Sequence, residues 1–329
     1  IQMPNFAVWT VVKILDERTD LQKVELSDNS VAYILKNIIG RVREGDAVVV
    51  NTLAVDLDLG TGGQHVVHWI LGSEGSQEQH SGRIIKARYL SEQCEVDPVL
   101  SSRTDLAGAR VLFCVLHSHV AAIAASVRLP NVAYLMTDQS ALPMALSDLV
   151  AELRDAGLLG ITATAGQAFG GEVEAVNVPS GVAALLDKGY SQIVIAGGPG
   201  HVGTNSTLGF SALDIASHAA TLSALGADVA LCVRASETDP RPRHNGVSHH
   251  VQTILRATAT PLNVPIPVGE PSDWILELGH RPHQTKPLDV SGSVDKLPSV
   301  LESMGRPLSE DAVSCAYIGS AAHWLIGEA

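Results

Sequence analysis

The stretch QIVIAGGPGHVGTNSTLGFSALDIASHAATLSALGADVALCV, residues 192–233, contains the repeating unit of an α/β fold. It opens with a buried-strand run, Gln192–Ala196, which passes into a glycine-rich loop. A helix follows, because Ser211 and Asp214 have the spacing of a capping box and Gly226 is a stop signal. The apolar run that closes the stretch is a second strand. This succession of strand, loop, helix and strand predicts a parallel sheet covered by helices.

The same alternation extends in both directions from this stretch. Towards the amino terminus, the periodic residues Leu146, Leu149, Val150 and Leu153 lie on one face of a helix that Gly157 ends. Further helices are expected at His119–Arg128, at Val182–Lys188 and from Ser248 to about Thr260. The strands predicted in all are Arg110–Val115, Asn131–Met136, Ile161–Thr164, Gln192–Ala196 and Asp228–Val233. We therefore expect an α/β fold with a parallel, Rossmann-like, doubly wound sheet.

The first hundred residues have a different pattern, in which short apolar runs alternate with Gly and Asp turns. We assign residues 1–100 to a small all-β domain, either a β-barrel or a β-sandwich. Residues 101–329 then form the α/β domain. Its segment 261–308 is rich in Pro, Gly, His and Asp and is expected to be a long surface excursion. A final helix is expected from Ser309 to about Ile326.

Composition narrows the classes of partner. With 22 basic and 35 acidic residues the net charge is −13, and the chain lacks the clustered Lys and Arg that nucleic acids require. Charged residues make up only 17% of the chain, below the roughly 25% of an average domain. We expect a homo-oligomer that covers part of such a surface. The alternative is a large core under a surface rich in Ala and Gly.

The remaining features predict a cytoplasmic protein. The four cysteines, Cys94, Cys114, Cys232 and Cys315, are far apart and form no C-x-x-C pair, which argues against a disulfide framework or a thiolate metal site. No apolar run reaches the length of about 18 residues that a membrane span needs, and no signal peptide opens the chain. We therefore expect neither a membrane nor a nucleic acid as a partner.

Candidate functional residues follow the predicted strands. Ligands bind beyond the carboxyl ends of the strands in open α/β sheets, and all these loops share one edge if the sheet is parallel. Of the 13 histidines in the chain, this edge is predicted to hold His117, His119, His201, His244, His249 and His250. A purely structural use of histidine would scatter them more evenly. The carboxyl edge of the sheet is therefore the predicted functional site.

Two glycine-rich loops at this edge are candidates for binding an anion through their backbone N–H groups. The candidate residues are Gly166, Gln167, Gly170, Gly171, Gly198, Gly200, His201, Gly203 and Thr204. Gly198, Gly200 and Gly203 match G-x-G-x-x-G, but the helix begins only near Ser211 and the next strand ends in Arg234. NAD binding is therefore disfavoured. Tight glycine turns without any cofactor are the alternative.

The side chains suggest acid–base or metal chemistry. If His117 and His119 lie on extended backbone, they point the same way, as a divalent metal site needs. The remaining ligands could then come from Asp138, His201, His244 or His249 in neighbouring loops. The alternative is that His119 begins a helix and both rings only bond to backbone. His249, in the first turn of a helix, is a candidate base, since the positive helix end lowers its pKa. Arg243 is a candidate for holding a carboxylate.

Several motifs also resemble a known family. These motifs are Asn51–Gly63, Met136–Asp138, Ala141–Asp148, Thr164–Gly171 and Gly246–His250. Together they resemble, over most of the chain, a bacterial family known only as a domain of unknown function. The resemblance implies a bacterial cytoplasmic protein and brings no activity, cofactor or catalytic residue with it.

Two functions remain open on this reading. The first is an enzyme that acts on a small anionic metabolite by a hydrolytic or lytic reaction, with His117, His119, Asp138 and His249 in acid–base or metal-assisted roles. The second is a non-catalytic small-molecule-binding or regulatory protein that uses the same crevice. Substrate and metal are not determined by these patterns.

Overall fold

The computed structural model describes residues 3–59, 62–73, 81–128 and 131–327, which fall into two units. The first unit is Ile1–Val96 and the second is Asp97–Ala329. The boundary expected near residue 100 thus lies a few residues beyond the end of the first unit. Gly60 and Thr61, which belong to the run that carries the family resemblance, lie outside the described residues.

The first unit is a closed β-barrel, which decides between the barrel and the sandwich expected from the sequence. Its strands, in the order β1-β2-β3-β5-β4 around the barrel, are β1 (Phe6–Glu17), β2 (Leu21–Leu26), β3 (Val31–Leu35), β4 (Ala47–Asn51) and β5 (His65–Ile70). Alternate residues such as Val24, Val48 and Val50 point inward and are fully buried. The unit also contains two short helices, α1 (Lys36–Ile39) and α2 (Leu53–Asp56). A separate antiparallel pair consists of β6 (Ile84–Lys86) and β7 (Cys94–Val96).

The sequence did not predict strand β2. Its polar Gln22 is fully buried on the inward face of the strand, which it shares with Val24 and Leu26. The Gln22 side chain is satisfied there, because its amide nitrogen donates to Val42 O (3.2 Å) and its oxygen accepts from Val42 N (2.9 Å). A buried amide paired with backbone in this way leaves no periodic apolar signal.

The second unit contains an eight-stranded parallel sheet with helices on both faces, as expected. The order across the sheet is β11-β10-β9-β12-β8-β13-β16-β17. These strands are β8 (Arg110–Cys114), β9 (Val132–Thr137), β10 (Ile161–Thr164), β11 (Val173–Glu174), β12 (Gln192–Gly197), β13 (Asp228–Cys232), β16 (Asn263–Pro267) and β17 (Arg281–Thr285). Two short antiparallel pairs lie outside the sheet: β14 (Ala235–Ser236) pairs with β15 (Gly246–Val247), and β18 (Glu302–Ser303) pairs with β19 (Arg306–Pro307). All five strands predicted for the sheet are present.

The helices divide between the two faces of the sheet, each with its own buried core. One face carries α3 (His117–Val127), α4 (Asp148–Asp155), α9 (Ser291–Val294) and α10 (Ala312–Ile326); the other carries α5 (Val178–Asp187), α6 (Ile215–Ala224), α7 (His249–Ala257) and α8 (Asp273–Glu277). Because α3 leaves β8 towards one face and the chain after β12 leads to the other, neighbouring strands send their loops apart at the carboxyl edge. Such a divergence opens a crevice for ligands.

The expectation of a surface excursion at residues 261–308 was wrong in part. The segment contains β16 and β17, which extend the sheet, as well as α8 and α9. Pro265 and Pro267 explain the error, since proline lacks an N–H group and argues against a strand inside a sheet. Here β16 pairs with β13 at Asn263 alone, so its prolines break little of that ladder.

Several helix starts follow local signals in the sequence, but the capping box expected at Ser211 and Asp214 was wrong. These two residues belong to a 3-10 turn without a side-chain cap, and α6 begins only at Ile215. Ser147 caps α4 by accepting a hydrogen bond from Val150 N, and Ser248 caps α7 by accepting one from His250 N. Asp311 caps α10 in the same way through Ser314 N. Within the described residues, no helix combines the length and the apolar character needed to cross a bilayer.

Candidate functional site

His117 is held in place by hydrogen bonds at both of its ring nitrogens. Nδ1 lies 3.1 Å from Gly197 O, and Nε2 lies 2.7 Å from the Ser147 hydroxyl. The Tyr134 hydroxyl also contacts Nδ1, at 3.2 Å. Burial lowers the pKa of His117 to about 4, so the ring is neutral at pH 7. Since both nitrogens have partners inside the protein, this histidine ties α3 to β12 and to the start of α4.

His119 points elsewhere, and the expectation that both histidines lie on extended backbone was wrong. Helix α3 begins at His117, and residues two apart on a helix differ in direction by about 200°. The His119 ring is 1% exposed and lies 3.7 Å (Nδ1) from the Cys232 sulfur on β13. A cavity of about 20 Å³ beside it has room for about one water molecule.

Asp138 is bound to the first glycine-rich loop. Its Oδ2 accepts a hydrogen bond from Gln167 N at 2.8 Å. Gly166 (φ +70°) lies so close that an added Cβ would stand 2.2 Å from Oδ2. The structure therefore gives His117, His119 and Asp138 separate partners and does not bring them together as a metal-binding set.

The N–H groups of this loop are also engaged within the chain. Gly170 N donates to Glu174 Oε1 (2.6 Å) and Gly171 N donates to the Thr164 hydroxyl (3.3 Å). An added Cβ on Gly171 would come within 2.7 Å of the β10 backbone. The glycines thus allow this loop to pack closely against the β10 backbone and against Asp138. An anion would have to displace the Glu174 carboxylate before it could bind the Gly170 amide.

The second glycine-rich loop leads into the densest group of histidines. Gly198 packs against Met136, where an added Cβ would meet the sulfur at 2.9 Å, and Gly200 has a φ of +89°. Gly203 faces His250, whose Cε1 would lie 3.9 Å from an added Cβ. Thr204 N donates to Gly209 O at 2.7 Å, which closes the turn before Phe210.

We call His201, His244, His249 and His250 the histidine cluster. Ring centroids lie 4.4 Å apart for His249 and His250, 4.9 Å for His244 and His250, and 5.1 Å for His244 and His249. The His201 ring is 5.4 Å from that of His250. Each of His244, His249 and His250 offers a nitrogen, and these three atoms lie within 4.8 Å of one another.

Local structure explains this convergence. The β14–β15 pair folds the chain back after β13, and Ser248 N bonds to Arg234 O at 2.9 Å. Ser248 then begins α7, so His249 and His250 occupy its first turn, as expected. Phe210 stacks on the His250 ring from the β12 loop, with centroids 3.9 Å apart.

Hydrogen bonds determine the tautomer of His244. Arg243 Nε donates to His244 Nε2 at 3.3 Å, so the neutral ring carries its proton on Nδ1. That Nδ1–H donates to the Ser248 hydroxyl at 2.8 Å. By contrast, the buried Nε2 atoms of His201 and His249 have no hydrogen-bond partner among the residues that the structure describes. Buried polar atoms of this kind call for an explanation.

All four imidazoles are neutral at pH 7. Burial, followed by the charge of Arg234, lowers the pKa of His201 to about 4, that of His244 to about 3 and that of His250 to about 2. Burial and then the charge of Arg243 also lower the pKa of His249. Neutral rings keep a lone pair, which is what a base or a metal ligand needs.

A network of ion pairs around Asp239 contacts the histidine cluster. The Asp239 carboxylate is 1% exposed and contacts Arg241 (2.6 Å), Arg306 (3.4 Å) and Arg234 (3.7 Å). Its hydrogen bond from Arg241 and the neighbouring charges hold the pKa of Asp239 well below its usual range. Arg234 Nη1 in turn lies 3.4 Å from His250 Nδ1. One carboxylate thus faces three guanidinium groups, so the surroundings of the cluster are electropositive.

A cavity of about 270 Å³ adjoins the cluster. The residues that line it are all of polar types, namely Asn205, Ser206, Thr207, Arg243, His249, Gln252, Thr253 and Arg256. His249 therefore belongs both to the cluster and to the cavity wall. Arg243, which was predicted to hold a carboxylate, lies here and also donates to Asn205 Oδ1.

Sequence reasoning found His249 and Arg243 but not the rest of the cavity. Gln252, Thr253 and Arg256 follow His249 at i+3, i+4 and i+7, so one face of α7 forms much of the wall. A polar stripe at helical spacing beginning at a candidate histidine was the signal that could have shown them. Phe210 and the Asn205–Thr207 turn had no such signal.

Comparison with known proteins places the chain in a family without giving it an activity. A search of curated proteins found no match. A family model described as a protein of unknown function (DUF3866) matches residues 31–322, from strand β3 of the barrel to within helix α10. The match covers most of both units and agrees with the resemblance seen in the motifs. The chain therefore belongs to the DUF3866 family of proteins of unknown function.

Proposed function

We propose that the protein is an enzyme that acts on a small anionic metabolite by hydrolysis or elimination, at the histidine cluster and its adjoining cavity. The observation that carries the proposal is the double position of His249, which lines the cavity and also belongs to the cluster. A molecule held in the cavity would therefore contact the neutral ring of His249, whose buried Nε2 has no hydrogen-bond partner within the described chain. Neutral imidazole at a ligand cavity is the usual requirement for proton transfer or metal binding.

The cavity fits an anion. Arg243 and Arg256 supply two positive charges, and Ser206, Thr207 and Thr253 supply hydroxyl groups. The amino-terminal end of α7 adds its partial positive charge at His249. No apolar side chain and no carboxylate belong to the described lining, so the expected ligand is hydrophilic and carries phosphate or carboxylate groups.

We assign the proposed chemistry to the histidine cluster and not to the set His117, His119 and Asp138. His117, His119 and Asp138 have partners inside the protein, whereas His249 and His201 each retain a nitrogen that is unbonded within the described residues. The imidazoles would act either as acid and base or by holding a metal that activates water.

The second candidate is a non-catalytic binding or regulatory protein that uses the same cavity. It is favoured by the hydrogen bond from Arg243 Nε to His244 Nε2, which occupies the lone pair that a base would use. In this case the arginines and histidines would bind an anion without converting it chemically.

A ligand screen followed by a turnover assay tests both candidates. We expect phosphorylated or carboxylated metabolites to raise the unfolding temperature of the protein, and Arg256→Gln to abolish that rise. Arg281→Gln removes an exposed arginine on β17 and serves as the matched control, which should keep the rise. Compounds that bind are then followed by NMR for turnover, which His249→Gln should abolish.

The outcomes separate the candidates clearly. Turnover that His249→Gln abolishes supports the enzyme. Binding that Arg256→Gln abolishes, with every bound compound left unchanged, supports the binding protein. Stabilisation that survives in Arg256→Gln excludes the cavity as the ligand site under either candidate.

We also propose that the protein is a cytoplasmic homo-oligomer. The support is its low fraction of charged residues, the reduced thiols of Cys114, Cys232 and Cys315, and the exposed apolar side chains of the barrel, which include Phe6, Val8 and Trp69. Sedimentation at several concentrations would show a single species of monomer mass if the oligomer does not form.

A further inference from the structure

We infer that His244, His249 and His250 form a binding site for a divalent transition metal, with zinc as the expected ion. This inference rests on the proposed function only in placing the chemistry at the same cluster. Its test uses metal alone, without any metabolite, so the two can fail independently.

The geometry of the three rings suits one shared ion. A zinc ion binds histidine nitrogen at about 2.0–2.1 Å in tetrahedral geometry, which sets neighbouring ring centres roughly 5 Å apart. The observed centroid distances are 4.4, 4.9 and 5.1 Å. The three nitrogens already lie within 4.8 Å of one another, so modest side-chain rotations would bring them around an ion.

Two further observations point to a ligand at this place. The buried Nε2 of His249 finds no hydrogen-bond partner in the described part of the chain, and the same is true of Nε2 of the neighbouring His201. In addition, His244 Nδ1–H is fixed by the Ser248 hydroxyl, which leaves Nε2 as the ligating atom. Metal-binding histidines are oriented by such a hydrogen bond from the other ring nitrogen.

The donor set indicates the kind of metal site. Three imidazoles suit zinc and similar borderline ions, and they leave a fourth position open for water or substrate. With no carboxylate among the ligands, the ion would keep its full charge. The three guanidinium groups around Asp239 add to this field, so the open position favours an anion. A zinc-bound water has a pKa near 7, which would supply hydroxide for hydrolysis.

Arg243 gives the inference a distinctive consequence. Its Nε donates to the lone pair of His244 Nε2, which a metal would need. The guanidinium also lines the adjoining cavity and bonds to Asn205, so it can turn away from the cluster and contact an anion. Arg243 and the metal therefore compete for His244, and removing the arginine should strengthen metal binding.

Calorimetric titration of the full chain with ZnCl2, after dialysis against EDTA, tests the site. We expect one equivalent to bind, His249→Gln to weaken the affinity at least tenfold, and Arg243→Ala to strengthen it. His283→Gln removes an exposed histidine on β17 and should leave the affinity unchanged. Circular dichroism and thermal unfolding of His249→Gln, whose ring is only partly buried, verify that this variant is folded.

Titration with CoCl2 adds a spectroscopic readout, because four-coordinate Co²⁺ absorbs visible light far more strongly than six-coordinate Co²⁺. We expect the strong band in the wild type and in Arg243→Ala, and its loss in His249→Gln. The inference is overturned if zinc does not bind at one equivalent, or if folded His249→Gln binds it as tightly as wild type. Binding of inorganic phosphate in place of zinc would likewise overturn it and assign the cluster to an anion.

Discussion

Phe210 lies flat against His250, with ring centroids 3.9 Å apart and an angle of 8° between the planes. Phe210 precedes the turn at Ser211–Asp214 and is 6% exposed, and its ring also meets His249 edge-on at 6.2 Å. One aromatic side chain from the β12 loop thus supports two histidines of α7. Stacking therefore joins the two loops that form the cluster, in addition to the hydrogen bond from Arg243 to Asn205.

Phe210→Ala should therefore lower the free energy of unfolding by about 3–5 kcal/mol, the usual cost of removing a buried phenylalanine. Phe210→Leu keeps most of the buried volume and should cost less. Urea denaturation of both variants measures this difference. Equal losses in the two variants would contradict this expectation and show that the aromatic ring, and not the buried volume, carries the whole effect.

Gly166→Ala should destabilise the protein through two effects that can be separated. The alanine must adopt a φ of +70°, which costs about 1 kcal/mol or more. Its Cβ would also stand 2.2 Å from Asp138 Oδ2, which must then move. Gly189→Ala is the matched control, since Gly189 has a φ of +89° with open space around it.

We expect Gly166→Ala to lose clearly more stability than Gly189→Ala in the same denaturation assay. If the losses are equal, the close contact with Asp138 carries no cost and only backbone strain matters. A second change, Asp138→Ala, should recover part of the difference in the Gly166→Ala background.

Asp239→Asn should be strongly destabilising at pH 7, by about 3–5 kcal/mol, because it leaves the buried Arg234 guanidinium and two partly exposed ones without their shared carboxylate. The pKa of Asp239 is lowered in the folded protein, so its contribution to stability is complete above the unfolded pKa of about 3.9. That contribution falls as the pH drops below this value towards the folded pKa.

The difference in stability between wild type and Asp239→Asn should therefore shrink as the pH is lowered from 5 towards 2. Denaturation at a series of pH values measures it. Asp187→Asn, which removes an exposed carboxylate paired with Arg103, should change stability little at any pH. A difference for Asp239→Asn that stays constant with pH would contradict the assigned protonation.

His117→Ala tests whether this residue is structural. It should lower the free energy of unfolding by about 1–3 kcal/mol, since Gly197 O and the Ser147 hydroxyl lose a buried partner. Ser147→Ala removes the cap of α4 and should cost about 1 kcal/mol. Because the two side chains are bonded to each other, the double variant should lose less than the sum.

Metal affinity in His117→Ala is the accompanying measurement, and it should match that of wild type once the variant is folded. A loss of metal binding without loss of stability would instead show that His117 belongs to the functional site.

The general architecture was predictable because it depends on local periodicity. Runs such as Arg110–Val115 and the i, i+3, i+4, i+7 pattern of α4 reflect burial along single elements, and the parallel arrangement follows from their alternation with helices. Strands β2 and β16 were not predictable on these grounds. A buried, fully bonded Gln22 and two prolines give no strand signal, and only tertiary pairing makes strands of them.

The site was predictable as an edge of the sheet but not as a set of atoms. His117 and His249 both follow strands, so the sequence gives no reason to distinguish them. In the structure the His117 ring has two internal partners, whereas His249 keeps a buried nitrogen that is unbonded within the described residues. That distinction depends on Ser147 and Phe210, which are distant in sequence. Which histidines meet is decided by side-chain packing between loops.

The closure of the amino-terminal barrel limits how a partner can recognise it. Among the described residues the five strands close into a barrel, which leaves fewer edge N–H and C=O groups for a peptide to pair with than an open sheet would. Association through Phe6, Val8 and Trp69 would rely mainly on side-chain shape. Recognition of this surface would therefore be more sensitive to single side-chain changes than to the backbone of the partner.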